Sequence, residues 1–270
     1  MARETFIGFD SAWTDKPQAP GAICAMVFEQ GRPIEFHEPR LASFAQALEF
    51  IEQVRHPDGL TLVALDQPTI VPNSTSLRPV ERVVASLVSW LGGGVQPSNT
   101  SKRGMFCKDA PIWPFLAALG AVELPEEART ARDGLYLMEV FPALALPSLS
   151  PEFFGRLAAP RYNPKNRSKF RHSDWVRVAQ AAAAQFEQFG ADKGASWCRE
   201  QAESLKPSKA DQDRLDAMLC LLVGMTWRMR PRSASMLVGD LAEGYMVFPA
   251  SQAVRERITR AAHGSGIVAA

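Results

Sequence analysis

The chain is poor in the residues that mark redox, zinc or disulfide chemistry. Its 270 residues include four cysteines and four histidines. No two cysteines form a C-x-x-C pair, and no histidine lies at metal-ligand spacing from a cysteine. We interpret the cysteines as free thiols of a cytosolic protein. Gly92-Gly93-Gly94 lacks the Lys-Ser/Thr pair that follows the glycines of a P-loop, and the sequence shows no nucleophile elbow.

Long apolar runs and an excess of one charge are also missing. The longest apolar stretch, residues 215–227, is too short to span a bilayer. Residues 1–4 lead directly into a predicted strand, so we expect no secretory signal and a cytoplasmic location without membrane attachment. Lys and Arg number 30 against 29 Asp and Glu. This balance argues against non-specific coating of nucleic acid but allows a local basic groove.

Apolar residues make up 46% of the chain, and their pattern is typical of an α/β fold. Predicted strands cover residues 4–10, 22–28, 32–37, 60–66 and 134–140, with later extended pieces at 235–239 and 245–248. Predicted helices cover residues 43–54, 78–91, 112–119, 174–189, 194–204 and 208–227. A strand that follows a meander and a helix predicts a mixed sheet with the fourth strand parallel to the first. We predict one domain over residues 1–270, with insertions at about 92–111 and 151–206.

Carboxylates follow three of these strands. Asp10 ends the first strand, Asp66 the fourth and Glu139 the fifth. A carboxylate at the end of a buried strand is costly to desolvate. If the chain reverses the direction of sheet growth between the first and fourth strands, Asp10 and Asp66 lie at a topological switch point, where open α/β sheets bind ligands. Adjacent strands are about 4.8 Å apart, so the two side chains can share one ion.

Two more acids, Asp213 and Asp216, are three residues apart on a predicted helix and therefore point the same way. Together with Asp10 and Asp66 they would form an acidic cluster able to complete a two-metal site for phosphodiester cleavage. Hard oxygen ligands without His or Cys favour Mg²⁺ or Mn²⁺.

Each acid alone has a simpler interpretation. Asp10 and Asp66 are compatible with turn caps, and Asp213 with a first-turn helix acid. Glu139 is compatible with a buried pairing to Arg78 or Arg82. The joint placement of the acids favours catalysis, with Asp10, Asp66, Glu139 and Asp216 as the candidate catalytic residues.

The motifs around these acids resemble the domain-of-unknown-function 429 family of predicted RNase H-like nucleases. They are Ile7-Gly8-Phe9-Asp10, Leu65-Asp66-Gln67-Pro68, Arg78-Pro79-Val80-Glu81-Arg82, Glu139-Val140-Phe141-Pro142, Asp213-Arg214-Leu215-Asp216-Ala217 and Gly239-Asp240-Leu241-Ala242-Glu243-Gly244. The resemblance implies an RNase H-like fold with a mixed five-stranded sheet in the order 3-2-1-4-5, flanked by helices. The last acidic motif also resembles that of RuvC-type resolvases. By this comparison Asp10, Asp66, Asp213 and Asp216 are metal ligands, and the role of Glu139 stays open.

Basic residues provide candidate contacts to nucleic acid. The segment 161–171, called the basic segment below, interleaves two aromatic residues with five cations, namely Arg161, Lys165, Arg167, Lys169 and Arg171. Cations that bind phosphates beside aromatics that stack on bases suit single-stranded or distorted nucleic acid. Lys102 and Arg103 form a second patch, and Arg78 and Arg82 lie one helical turn apart. A solvated loop or surface remains the alternative for each patch.

The sequence therefore predicts a hydrolase, a Mg²⁺- or Mn²⁺-dependent nuclease with a two-metal mechanism. One alternative is an ATP-binding phosphotransferase of the actin and sugar-kinase type. Trp13 argues against it, because a large side chain stands where the backbone should approach a phosphate. A second alternative is a catalytically inactive RNase H-like interaction protein.

Overall fold

A computed structural model describes residues 3–270 and shows a mixed α/β fold. Its central sheet has five strands in the order β3-β2-β1-β4-β5. β1 is antiparallel to β2 and parallel to β4, and β4 is parallel to β5. The predicted sheet order and mixed character are confirmed. The strands are β1 (Arg3–Asp10), β2 (Gly21–Glu29), β3 (Arg32–Ala42), β4 (Leu60–Leu65) and β5 (Gly134–Glu139).

Helices cover both faces of the sheet. They are α1 (Phe44–Val54), α2 (Pro79–Trp90), α3 (Ile112–Leu119), α4 (Pro125–Ala128), α5 (Pro142–Leu149), α6 (His172–Gln188), α7 (Asp192–Glu203), α8 (Lys209–Met229) and α9 (Gln252–His263). A two-stranded sheet of β6 (Ser235–Asp240) and β7 (Gly244–Pro249) follows α8. No helix in residues 3–270 combines the length and apolar character that a membrane crossing requires.

Helices α4, α5 and α9 were not predicted from the sequence. Pro142 opens α5, because proline fits the first turn of a helix. The basic segment contains no helix or strand. The loop between α2 and α3 packs against the rest of the protein through the buried residues Ser98, Asn99 and Phe106.

α8 is the central helix on one face of the sheet. It runs antiparallel to β1, because Ala217 lies against Gly8 near the carboxyl end of the strand, while Arg228 pairs with Glu4 near its start at 2.8 Å. A Cβ atom at Gly8 would stand only 2.0 Å from the Ala217 carbonyl oxygen, so this close approach requires glycine. The first turns of α8 are thereby brought to the carboxyl edge of β1 and β4.

The opposite face of the sheet packs on α1 and α3. Phe9 and Leu65 belong to that core. Because side chains alternate along a strand, Asp10 and Asp66, one residue further on, are directed to the α8 face. Glu139 is paired with Leu65 in the β4–β5 register and so shares the face of Leu65.

Candidate functional site

Asp10 and Asp66 lie side by side at the carboxyl edge of the sheet. The Asp66 N–H donates to the carbonyl oxygen of Phe9 at 2.9 Å, which continues the β1–β4 ladder and sets Asp66 level with Asp10. Both acids are half-buried, whereas Asp216 on α8 is only 7% exposed. The β1–β4 boundary is where sheet growth reverses direction, with β2 and β3 on one side and β4 and β5 on the other. The structure therefore places these carboxylates at a topological switch point.

The carboxylates of the acidic cluster influence one another. Burial raises the pKa of Asp10 well above its usual range, and Asp216, Asp66 and Asp213 raise it further. Burial likewise raises the pKa of Asp66, with added repulsion from Asp216 and Glu139. Burial also raises the pKa of Asp216, to about 6. The cluster is thus a concentration of negative charge that a cation would stabilise.

Asp216 is fixed in place by two neighbours that sequence analysis did not foresee. The Tyr162 hydroxyl donates to Oδ1 of Asp216 at 2.7 Å, and Gln212 Nε2 donates to Oδ2 at 2.5 Å. Gln212 itself is 7% exposed. Its Oε1 finds no hydrogen-bond partner among residues 3–270, so a further oxygen ligand is available beside Asp216.

Lys209 supplies a positive charge at the cluster. It is the first residue of α8, after the N-cap Ser208, which forms a capping box with Asp211. Its ammonium group forms an ion pair with Asp213 and lowers the pKa of Asp10, Asp66 and Asp216. The i,i+4 spacing of Lys209 and Asp213 is a sequence signal that could have revealed this pair.

Glu139 faces a different partner. It accepts hydrogen bonds from Arg78 Nη1 at 2.9 Å and from Arg78 Nη2 at 2.5 Å, and Arg78 Nε donates to Glu81 at 2.9 Å. Burial raises the pKa of Glu139 to about 7, although the Arg78 guanidinium acts in the opposite direction. The pairing of Glu139 with Arg78 is confirmed. Arg78 is buried, and its guanidinium is engaged within the protein by Glu139, Glu81 and the Ile70 carbonyl oxygen.

The other basic candidates reach solvent. Lys165, Arg167, Lys169 and Arg171 are exposed, and Arg161 is half-buried. The Tyr162 bond to Asp216 ties this basic segment to the acidic cluster. Arg82 is exposed on α2, where it donates to the Leu77 carbonyl. In the loop between α2 and α3, Arg103 is exposed and Lys102 is half-buried.

The donor set of the acidic cluster fits a hard divalent cation. Over residues 3–270, no three His, Cys, Asp or Glu side chains form a group that could enclose a metal ion. Mg²⁺, however, is usually bound by one or two carboxylates and keeps several waters. The adjacent Asp10 and Asp66, and the unpartnered Gln212 Oε1 beside Asp216, meet that requirement.

Fold and site together define an α/β protein with an acidic cluster at the switch point of a mixed sheet. The model of the family described as "Protein of unknown function (DUF429)" matches residues 8–240. The chain therefore belongs to this family. No curated protein and no solved structure matches the chain. The matched range includes every residue of the acidic cluster and the whole basic segment.

Proposed function

We propose that the protein is a divalent-metal-dependent nuclease that hydrolyses phosphodiester bonds of nucleic acid. The observation that carries this proposal is the convergence of Asp10, Asp66 and Asp216 from two parallel strands and the helix packed on them. The charges of the four acids and of Lys209 act on one another's pKa. A bound cation would stabilise this arrangement, because like charges at about 4 Å repel by roughly 1–4 kcal/mol per pair.

Each residue has a defined task in this proposal. Asp10 and Asp66 would hold one ion, and Asp216 and Asp213 on α8 would supply ligands for a second. The ions, Mg²⁺ or Mn²⁺, would activate the attacking water and stabilise the charge on the leaving oxygen. Tyr162 and Gln212 orient the Asp216 carboxylate through its two oxygens.

The basic segment provides the contact to the nucleic-acid backbone. Its exposed cations suit phosphates, and Tyr162 holds the start of the segment next to Asp216. A strand bound along the segment would thus be led to the acidic cluster. Glu139 and Arg78 act in this proposal as positioning residues. They form a buried ion pair, which holds the chain after β4 in place because Glu139 accepts from the Thr69 N–H and Arg78 donates to the Ile70 carbonyl oxygen.

The test is the Asp10→Asn variant. We expect it to abolish cleavage of single- and double-stranded DNA and RNA in Mn²⁺, and to leave the melting temperature unchanged or raised, because one repelling charge is removed. Asp58→Asn is the matched control, since Asp58 is exposed and precedes β4 at the edge of the sheet opposite to Asp66. Cleavage that persists in Asp10→Asn, or is lost equally in the control, would refute the proposal.

A further inference from the structure

A cavity of about 210 Å³ opens directly beside Asp66. Its walls include Trp13, Pro68, Val95, Phe141 and Met246, which make it largely apolar. The volume is below the 300–1,000 Å³ typical of sites for drug-sized ligands. It therefore suits a small flat group rather than a whole nucleotide.

Trp13 is held rigidly at this cavity. Its indole Nε1–H donates to the Asp66 carbonyl oxygen at 3.1 Å, and its ring packs edge-on against Phe106 at 5.3 Å between centroids. Trp13 and Asp66 consequently have a fixed relative position. An aromatic surface is thus presented next to an acid of the cluster.

A buried polar atom also lines the cavity without a partner. Ser98 is 0% exposed, yet its Oγ makes no hydrogen bond to any of the residues that the structure describes. A buried hydroxyl without a partner costs free energy, and such sites in native proteins are usually completed by a bound molecule or water. Ser98 can donate or accept, as the edge of a nucleobase requires.

We propose that this cavity, the base pocket, receives one unpaired nucleobase of a single strand whose neighbouring phosphate lies at Asp66. The inference rests on the proposed nuclease function, which places that phosphate at the acidic cluster. Trp13 provides the stacking surface and Ser98 Oγ a hydrogen bond to the base edge. These two residues then determine that the substrate is single-stranded.

Charge excludes a phosphate as the occupant. Glu81 and Glu139 contribute to the lining of the base pocket. Their carboxylates accept hydrogen bonds from Arg78, and Glu81 also accepts from the Ser98 N–H. Arg78 offsets only one of these two negative charges, so an anion inside the base pocket would be repelled, whereas a neutral ring would not.

Two smaller cavities lie between the base pocket and the basic segment. Gly94 lines both the base pocket and a second cavity of about 110 Å³. Arg161 and Tyr162 line both that cavity and a third of about 130 Å³, which Lys169 and Phe170 also border. Cations and aromatic rings therefore both line the cavities on this side of the base pocket, as they line single-strand binding sites.

A base in a duplex cannot enter the base pocket, because it is paired and stacked between its neighbours. Enzymes that place a base in such a pocket act on single strands or extrude the base at a cost of a few kcal/mol. We therefore expect a single strand to bind more tightly than a blunt duplex of the same sequence.

The test compares two probes of equal length and charge, a fluorescent oligothymidylate and a fully abasic oligomer. Binding is followed by anisotropy in Mn²⁺, with every protein carrying Asp10→Asn so that the strands stay intact. Trp13→Ala should weaken oligothymidylate binding about 5- to 150-fold, the effect of losing one base–aromatic stack. It should change abasic binding less than about twofold, because the lost contact requires a base.

Two further variants keep the test decisive if the Trp13→Ala protein does not fold. Trp13→Phe keeps an aromatic ring and should retain most of the affinity for oligothymidylate. Ser98→Ala removes a hydroxyl that has no partner in residues 3–270, so its melting temperature should not fall while oligothymidylate binding weakens.

Equal weakening for both probes, no weakening with oligothymidylate, or equal affinity for the duplex would overturn the base pocket. Because the comparison uses a non-cleaving background, it is independent of the nuclease assay. If the protein cleaves nucleic acid but Trp13→Ala does not weaken oligothymidylate binding more than abasic binding, only the base pocket is refuted. If Trp13→Ala weakens oligothymidylate binding selectively but the wild-type protein cleaves no nucleic acid, only the proposed nuclease function is refuted.

Discussion

The hydroxyl of Tyr162 donates a 2.7 Å hydrogen bond to Oδ1 of Asp216. Tyr162 lies at the start of the basic segment, and Asp216 lies on α8 within the acidic cluster. This bond is therefore a direct link between the residues proposed to bind a nucleic-acid backbone and those proposed to bind metal. Tyr162 is 9% exposed, so water does not readily replace it.

Tyr162→Phe tests this link. The variant leaves one oxygen of a buried carboxylate without its donor, which should lower the free energy of unfolding by about 1–3 kcal/mol. It should also weaken Mn²⁺ binding, measured by calorimetry, because Asp216 loses its fixed orientation. Tyr136→Phe is the matched control, since it removes a 2.7 Å bond to Glu127 from a residue near the start of β5. Equal loss of Mn²⁺ affinity in both variants would contradict the assignment.

Glu139→Gln separates a metal ligand from a positioning residue. The side chain pairs with Arg78, and both residues are buried. Removing one partner of a buried ion pair costs about 3–5 kcal/mol, so chemical denaturation should show a clear loss of stability. Mn²⁺ affinity should change little, because Glu139 is engaged with Arg78 rather than with the acidic cluster. An affinity loss comparable to that of Asp10→Asn would instead place Glu139 among the metal ligands.

The mixed character of the sheet and the position of Asp10 and Asp66 at strand ends could be predicted because they depend on local signals, whereas the full strand order followed from the family resemblance. Apolar runs that end in an acid, and the i,i+3 spacing on a helix, are visible in one sequence. The bond of Tyr162 to Asp216 is different, since its partners are 54 residues apart. For Glu139 the sequence left Arg78 and Arg82 open as partners, and only the structure distinguishes them. No periodicity fixes which distant side chains meet. The unpartnered Ser98 hydroxyl was equally invisible, because a serine in a loop carries no sign of its burial.

The acidic cluster should give the protein an unusual pH dependence without divalent ions. The folded-state pKa of Asp216 is raised from 3.8 to about 6, and those of Asp10 and Asp66 are raised as well. The folded state then binds more protons than the unfolded state, so stability falls as pH rises from about 4 to about 6 and beyond. For Asp216 alone the loss approaches about 3 kcal/mol.

Urea unfolding across this pH range, with a chelator and then with Mg²⁺, measures the effect. We expect Mg²⁺ to stabilise the protein more at the higher pH, where the carboxylates are ionised and free to bind it. Asp10→Asn should flatten the pH dependence in the chelator, because it removes one of the titrating groups and one source of repulsion. Stability that rises through this range in the chelator would contradict the shared electrostatics of the cluster.

Lys209→Met tests whether the lysine acts as an internal counter-ion. Its ammonium pairs with Asp213 and lowers the pKa of Asp10, Asp66 and Asp216, so it neutralises part of the charge that a divalent ion would otherwise neutralise. Removing it should lower the stability of the metal-free protein and raise Mn²⁺ affinity by about tenfold, the effect of one unit charge a few ångströms from a divalent ion in water. Lys193→Met, at an exposed position on α7, is the matched control and should change neither quantity. If Lys209→Met instead weakens Mn²⁺ binding, the lysine organises the ligands rather than competing with the metal. A competing lysine predicts lower stability together with higher Mn²⁺ affinity, whereas an organising lysine predicts a loss of both. Measuring the two quantities for Lys209→Met therefore distinguishes the two roles.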